Sequence, residues 1–204
     1  MTDLIDSIHF QELSELDPMD VCRRALCQYD SSNRCYTLSV WGQELRIAPH
    51  RLTIESMSNN KNHLDDYFHL FVIHYLLRAK VTDIANEWIS EKDVAGGATF
   101  FRGPHRIPTD LIADRFNNNI DAFKARCNRF SGRSIQLADA AYVFTITPRI
   151  PVAVLYWCGD DDFPAESKIL YDRTITTHLA SDMIYALAVG VCRQLGYSHD
   201  DRAD

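Results

Sequence analysis

Apolar positions along the chain change period several times, and the changes divide it into elements. Residues 10–29 are expected to be helical, with Asp17 followed by Pro18 in the manner of an N-cap and first helical position and Met19, Cys22, Ala25 and Leu26 near one face. After a polar break, Tyr36, Leu38 and Val40 alternate with polar residues, Gly42 marks a turn, and Leu45 and Ile47 resume the alternation, as in a β-hairpin. Leu52 and Ile54 could supply a third strand. Polar residues 56–62 then lead into the clearest helix, where Leu64, Tyr67, Phe68, Phe71, Val72, Tyr75 and Leu76 recur at three-and-four spacing. Leu70, Ile73 and Leu77 widen that stripe, which predicts a central helix packed on most sides.

Beyond Pro104 and Pro108, Thr109 can cap a helix with Ile112, Phe116, Ile120, Phe123 and Cys127 on one face, and Asn117, Asn118 and Asn119 are able to split it. Tyr142, Phe144 and Ile146 alternate as a strand, Pro148 and Pro151 bracket a turn, and residues 152–157 form a nearly continuous apolar strand suited to a sheet centre. A turn at residues 159–162 precedes a returning strand marked by Ile169 and Tyr171. The last helix begins near Ser181, buries Ile184, Leu187, Ala188, Val191 and Leu195, and closes at Gly196. Helices and strands without regular β-α-β alternation predict an α+β fold, with a largely antiparallel sheet packed against a central apolar helix and a C-terminal helix. One globular domain is expected over residues 1–197, with a flexible polar tail at 198–204.

Composition narrows the function classes. A formal charge of -7, from 28 acidic and 21 basic residues, disfavours nucleic acid as a partner. Lys124, Arg126, Arg129 and Arg133 form a local basic cluster that reads as a solvated helix face. No stretch reaches the roughly 20 apolar residues needed to cross a bilayer, and the acidic start Met1-Thr2-Asp3-Leu4-Ile5-Asp6 lacks a basic, apolar leader, so a cytoplasmic location is expected. The cysteines Cys22, Cys27, Cys35, Cys127, Cys158 and Cys192 are scattered and read as reduced thiols, although Cys22 and Cys27 with Cys35 could hold a metal.

The segments Pro148-Arg149-Ile150-Pro151, Tyr156-Trp157-Cys158-Gly159-Asp160-Asp161-Asp162-Phe163-Pro164-Ala165 and Ile169-Leu170-Tyr171-Asp172 resemble the prokaryotic family of domain of unknown function 3786. Supporting similarity at His74-Tyr75-Leu76-Leu77, Glu87-Trp88-Ile89-Ser90 and Gly96-Gly97 extends the likeness over residues 15–195. The resemblance implies a cytosolic accessory domain of anaerobes, associated with corrinoid-dependent one-carbon or redox proteins. Iron–sulfur ligation is not carried over, because the closely spaced cysteines of a cluster segment are missing.

Individual residues suggest three kinds of chemistry. Asp160 and Asp162 sit about 6–7 Å apart on one side of an extended turn, where they could bind Mg²⁺ or Ca²⁺, form a solvated tip, or pair with Arg149 or Arg173. Asp172, at a strand end, could cap local backbone donors or project into a cleft. His178, just before the last helix, is placed to act as a neutral base or ligand. Trp41, Trp88 and Trp157 could wall an organic-ligand pocket or serve the core. The expected ligand-binding set is therefore Trp157, Arg149, Asp172 and His178, with Asp160 and Asp162 as metal ligands. An accessory or ligand-binding domain heads the possible functions, beside a metal-assisted hydrolase or transferase using the acidic turn with Asp172 and His178, and a homo-oligomeric interaction module. His63, His69 and His74 have the wrong spacing for a helical two-histidine metal site, and His74 reads as a core histidine.

Overall fold

The computed structural model describes residues 4–57 and 64–197, so His63 and the expected polar tail lie outside the described residues. The elements run α1 (Ser7–Glu15), α2 (Pro18–Ala25), β1 (Gln28–Asp30), β2 (Cys35–Val40), β3 (Gln43–Ala48), β4 (Thr53–Ser56), α3 (Asp66–Arg78), β5 (Trp88–Ile89), α4 (Gly97–Phe100), α5 (Asp110–Phe116), α6 (Ile120–Arg129), β6 (Arg133–Ile135), β7 (Ala140–Thr147), β8 (Ile150–Trp157), β9 (Glu166–Asp172), α7 (Ile175–His178) and α8 (Ser181–Gly196). The fold is α+β with antiparallel sheets.

The strands form two sheets rather than one, ordered β1-β2-β3-β4 and β5-β9-β8-β7-β6. In the first, Val40 pairs with Gln43 across a two-residue turn in which both Trp41 and Gly42 have positive φ, 46° and 73°. That geometry matches the twist of a hairpin, and glycine adopts it without a Cβ penalty. The same turn joins the sheets: the Trp41 N–H donates to the Ile146 carbonyl of β7 at 2.7 Å. The indole packs against Phe68, Phe130 and Phe144, with ring centroids 5.5, 5.4 and 5.1 Å away.

β8 is the middle strand of the second sheet, buried from Ile150 to Tyr156. Pro151 is accommodated because β9 pairs only as far as Val152, and because the β7 register shifts between Thr145 and Thr147, leaving no regular ladder for its missing N–H to interrupt. Tyr142, Phe144 and Ile146 face the main core with α3 and α8. On the opposite sheet face Ala141, Val143, Ala153 and Leu155 form a smaller cluster, roofed by Trp88, Trp157, Ile135 and Leu170.

Three outcomes of the sequence expectations have local causes. The helical stretch expected over residues 10–29 is two helices and a short strand, with the expected Asp17 cap and Pro18 start in place: Pro18 disfavours helical backbone at Asp17, which turns extended and caps the Met19 N–H at 3.0 Å. The asparagine run does divide α5 from α6, with Asn119 accepting from the Ala122 N–H at 3.0 Å. Gly196 does not stop α8 by turning left-handed; it is the last helical residue, and a Cβ there would come within 2.6 Å of the Leu111 carbonyl oxygen, so it serves a close approach to α5.

Arg126 corrects the reading of the basic cluster as a solvated face. It is buried, stacks over Phe130 with its guanidinium carbon 4.7 Å from the ring centroid, and donates to the carbonyls of Gln194 at 2.6 Å and Tyr197 at 3.1 Å. A cation on the last carbonyls of α8 satisfies acceptors that the helix cannot pair internally.

Candidate functional site

Arg149, Asp172 and His178 converge, and what they converge on is the chain itself. Residues 79–87 leave α3 without regular secondary structure and cross to β5. Arg149 donates to the Thr82 carbonyl at 2.8 Å, His178 accepts the Lys80 N–H at Nδ1 at 3.2 Å, and Asp172 accepts the N–H groups of Ala85 and Asn86 at 3.1 and 2.7 Å. The strap therefore has its backbone satisfied by side chains.

The other contacts of these residues are equally specific. Arg149 is buried between the tight β7–β8 turn and α2, and its remaining donors reach the carbonyls of Arg24 at 2.7 Å and Arg23 at 3.5 Å, capping the end of α2. Asp172 also accepts the N–H and hydroxyl of Thr174 at 3.0 and 2.7 Å. Burial pushes its carboxyl up, and these donors together outweigh it and hold the group below the usual carboxylate range.

Trp157, Asp160 and Asp162 lie at the far end of the same strands. Trp157 pairs with Glu166, at the start of β9, whereas Asp172 is at its end, about 20 Å away along a seven-residue strand. The acidic turn and the Asp172–His178 pair thus do not form one site, which removes the geometry of a joint metal-assisted centre. Asp160 accepts the N–H groups of Asp162 and Phe163 at 2.9 and 2.8 Å, the usual turn-stapling role of aspartate. Neither expected arginine partner reaches this turn: Arg149 binds carbonyls, and Arg173 pairs with Glu87 at 2.7 Å. Among the described residues no group of three or more His, Cys, Asp or Glu side chains is placed to hold a metal, the Cys22, Cys27 and Cys35 set included. Trp41 is a core residue, and Trp88 and Trp157 share the outer sheet face.

Beside the strap, where α3 ends and α8 begins, lies a cleft of about 500 Å³, lined by His74, Arg78, Lys80, the α7 threonines, His178 and Asp182. α8 opens on Ala180, which supplies no side-chain cap, and the N–H groups of Ser181 and Asp182 have no hydrogen bond among the described residues. Those donors carry the positive end of a 16-residue helix. Lys80 adds an exposed ammonium, while Arg78 is shared with Glu12 at 2.8 Å. The Asp182 carboxylate opposes them, but it is turned onto the Met183 N–H at 2.9 Å.

His178 contributes a donor of a different kind. Its Nδ1 accepts from Lys80, so the neutral ring carries its proton on Nε2, and that atom is buried with no hydrogen-bond partner among the described residues. Burial first, and the Arg149 charge second, push its pKa below the usual 6.5; burial and neighbouring His9, whose ring centroid is 4.5 Å away, do the same to His74. Both groups are held neutral by the folded state, so their contribution to stability is complete above pH 6.5 and is lost as pH falls below that value toward the depressed folded pKa values. Urea unfolding between about pH 7.5 and about pH 5 should show that acid limb, and His178→Gln should flatten it. A slope unchanged by the substitution would refute the assignment to His178.

The cleft differs from the expected site in Lys80, Arg78 and the start of α8, and only one sequence signal pointed there. An alanine directly before Ser181, where Ser, Thr, Asp or Asn normally caps, marks a helix start left open. No helix among the described residues is long and apolar enough to cross a membrane. No curated protein and no solved structure matches the chain. The family model described as domain of unknown function DUF3786 matches residues 17–194. That match takes in α2 through nearly all of α8, including the strap, its three anchors and the cleft, and the chain belongs to the DUF3786 family.

Proposed function

We propose that this domain is an accessory ligand-binding module, and that the cleft between the end of α3 and the start of α8 takes a small molecule through a phosphate or carboxylate group. The observation that carries the reading is the basic lining of one space: Lys80 and Arg78 stand on its wall with the uncapped start of α8 at Ala180 and Asp182. An oxyanion supplies an acceptor for Lys80 and the open helix start, and a helix N-terminus favours its charge. Binding rather than turnover is proposed because His178 has its Nδ1 occupied by the strap, which leaves the ring a donor and not a base.

Inorganic phosphate is the first probe, titrated at constant ionic strength and followed by thermal denaturation. A saturable rise in melting temperature is expected. Lys80→Ala, at an exposed position, should weaken the apparent affinity about tenfold, the equivalent of about 1.4 kcal/mol, in line with one charge-assisted hydrogen bond. A response that does not saturate, or that survives Lys80→Ala together with Arg78→Ala unchanged, would overturn the reading. The association with corrinoid or redox systems that the family resemblance implies is tested separately, by an absorption spectrum of protein purified anaerobically from its own host.

A further inference from the structure

A second concentration of reactive side chains lies outside the cleft, at the end of α2. Leu26 takes the left-handed conformation, φ 54°, and both its N–H and that of Cys27 turn back to the carbonyl of Cys22, the latter at 3.3 Å. This six-residue closure of a helix end brings together the side chains at its first and last positions, where an apolar pair normally meets. Here the pair is Cys22 and Cys27, and their Sγ atoms lie 3.8 Å apart. Both are free thiols at half-buried positions, whereas Cys35, Cys127 and Cys192 are buried.

We propose that Cys22 and Cys27 form a reversible dithiol–disulfide site whose oxidant is a small-molecule disulfide. A disulfide needs sulfurs about 2.0 Å apart, so each has roughly 1 Å to move, within reach of side-chain rotation over a backbone already closed by hydrogen bonds. Burial raises the pKa of both thiols, and the Cys27 thiol donates to the Cys22 sulfur, a contact that favours the thiolate on Cys22 and makes it the attacking group. Its thiolate attacks one sulfur of the external disulfide, breaking that S–S bond and releasing the first small thiolate, which takes up a proton. Cys27 then loses its proton, attacks the Cys22 sulfur in the mixed disulfide and expels the second small thiolate. Two protein thiols are oxidised to one disulfide, and the external disulfide is reduced to two thiols.

The position gives the reaction a structural consequence. The carbonyls of Arg23, Arg24 and Ala25, between the two cysteines, are the acceptors for Arg149 at 3.5 and 2.7 Å and for the Tyr75 hydroxyl at 3.0 Å. Oxidation locks the helix end on which those buried donors rest.

The test uses the whole wild-type protein and no cleft ligand, so it is independent of the phosphate experiment. The reduced protein is exposed for hours to excess oxidised glutathione at about pH 9, which raises the thiolate fraction of these buried thiols, then alkylated and digested with trypsin. Cleavage after Arg23 and Arg24 separates the Cys22 and Cys27 peptides, so only a bond between them keeps them together. The expected product is the linked peptide pair without retained glutathione, reversed by a reducing dithiol. Cys27→Ser, checked for an unchanged melting temperature, should stop at a glutathione adduct on Cys22. Both cysteines recovered alkylated, a persistent wild-type adduct, or a link from either residue to another cysteine would each overturn the proposal.

Discussion

Asp172→Ala should destabilise the protein by about 3 kcal/mol, measured as a fall in the urea midpoint at unchanged slope. The carboxylate is 2% exposed and accepts four hydrogen bonds, from Ala85, Asn86 and twice from Thr174. Hydrogen bonds to a charged group are worth about 1.5–3 kcal/mol each. The sum is discounted because the strap is exposed, and water reaches its N–H groups once the side chain is gone. Asp172→Asn should recover little of the loss, since its amide nitrogen would face N–H donors. A loss below about 1 kcal/mol, with phosphate affinity falling instead, would return Asp172 to the ligand role its sequence position suggested.

Arg149→Ala should cost as much or more, about 3–4 kcal/mol. The guanidinium bridges the backbone at the end of α2, through Arg24, and the backbone of the strap, through Thr82, beside the Arg24 side chain that donates to the Ala79 carbonyl at 2.7 Å. Truncation leaves buried carbonyls without donors and opens a gap behind the β7–β8 turn. Arg149→Lys keeps the charge and loses the fork, and should keep less than half of the stability, because a point ammonium cannot serve carbonyls on two sides of a plane. The alanine variant carries a second signature: without the neighbouring cation, the His178 pKa rises toward 6.5 and the acid limb of stability shifts up in pH. Urea unfolding at two pH values measures both effects.

Much of the fold was legible because its signals are local. The β2–β3 hairpin follows from alternation around Trp41 and Gly42, α3 from its wide apolar stripe, and the central position of β8 from a run with no polar residue between Val152 and Trp157. The division into two sheets was not legible, since it is set by which strands pair across long sequence separations, as β5 does with β9, and alternation within a strand does not name its partner. The site was half legible. Arg149, Asp172 and His178 stood out as polar groups at the ends of apolar elements, and such positions are buried and partnered, but nothing in a sequence distinguishes a backbone carbonyl as partner from a ligand oxygen. Lys80 was invisible because its importance comes from lying across from α8, not from its neighbours in the chain.

The strap also imposes an order of events. Its anchors lie 67, 87 and 98 residues further along the chain. During synthesis, residues 79–87 emerge together with α3, and only the Arg24 side chain, on the Ala79 carbonyl, is there to hold them before these three anchors are made. The first half can collapse around Phe68 and Trp41 while this connection waits, and it is fastened only when α7 arrives. A ribosome that stalled after β8 would leave a chain with its Thr82 clasp in place and the other two fastenings open.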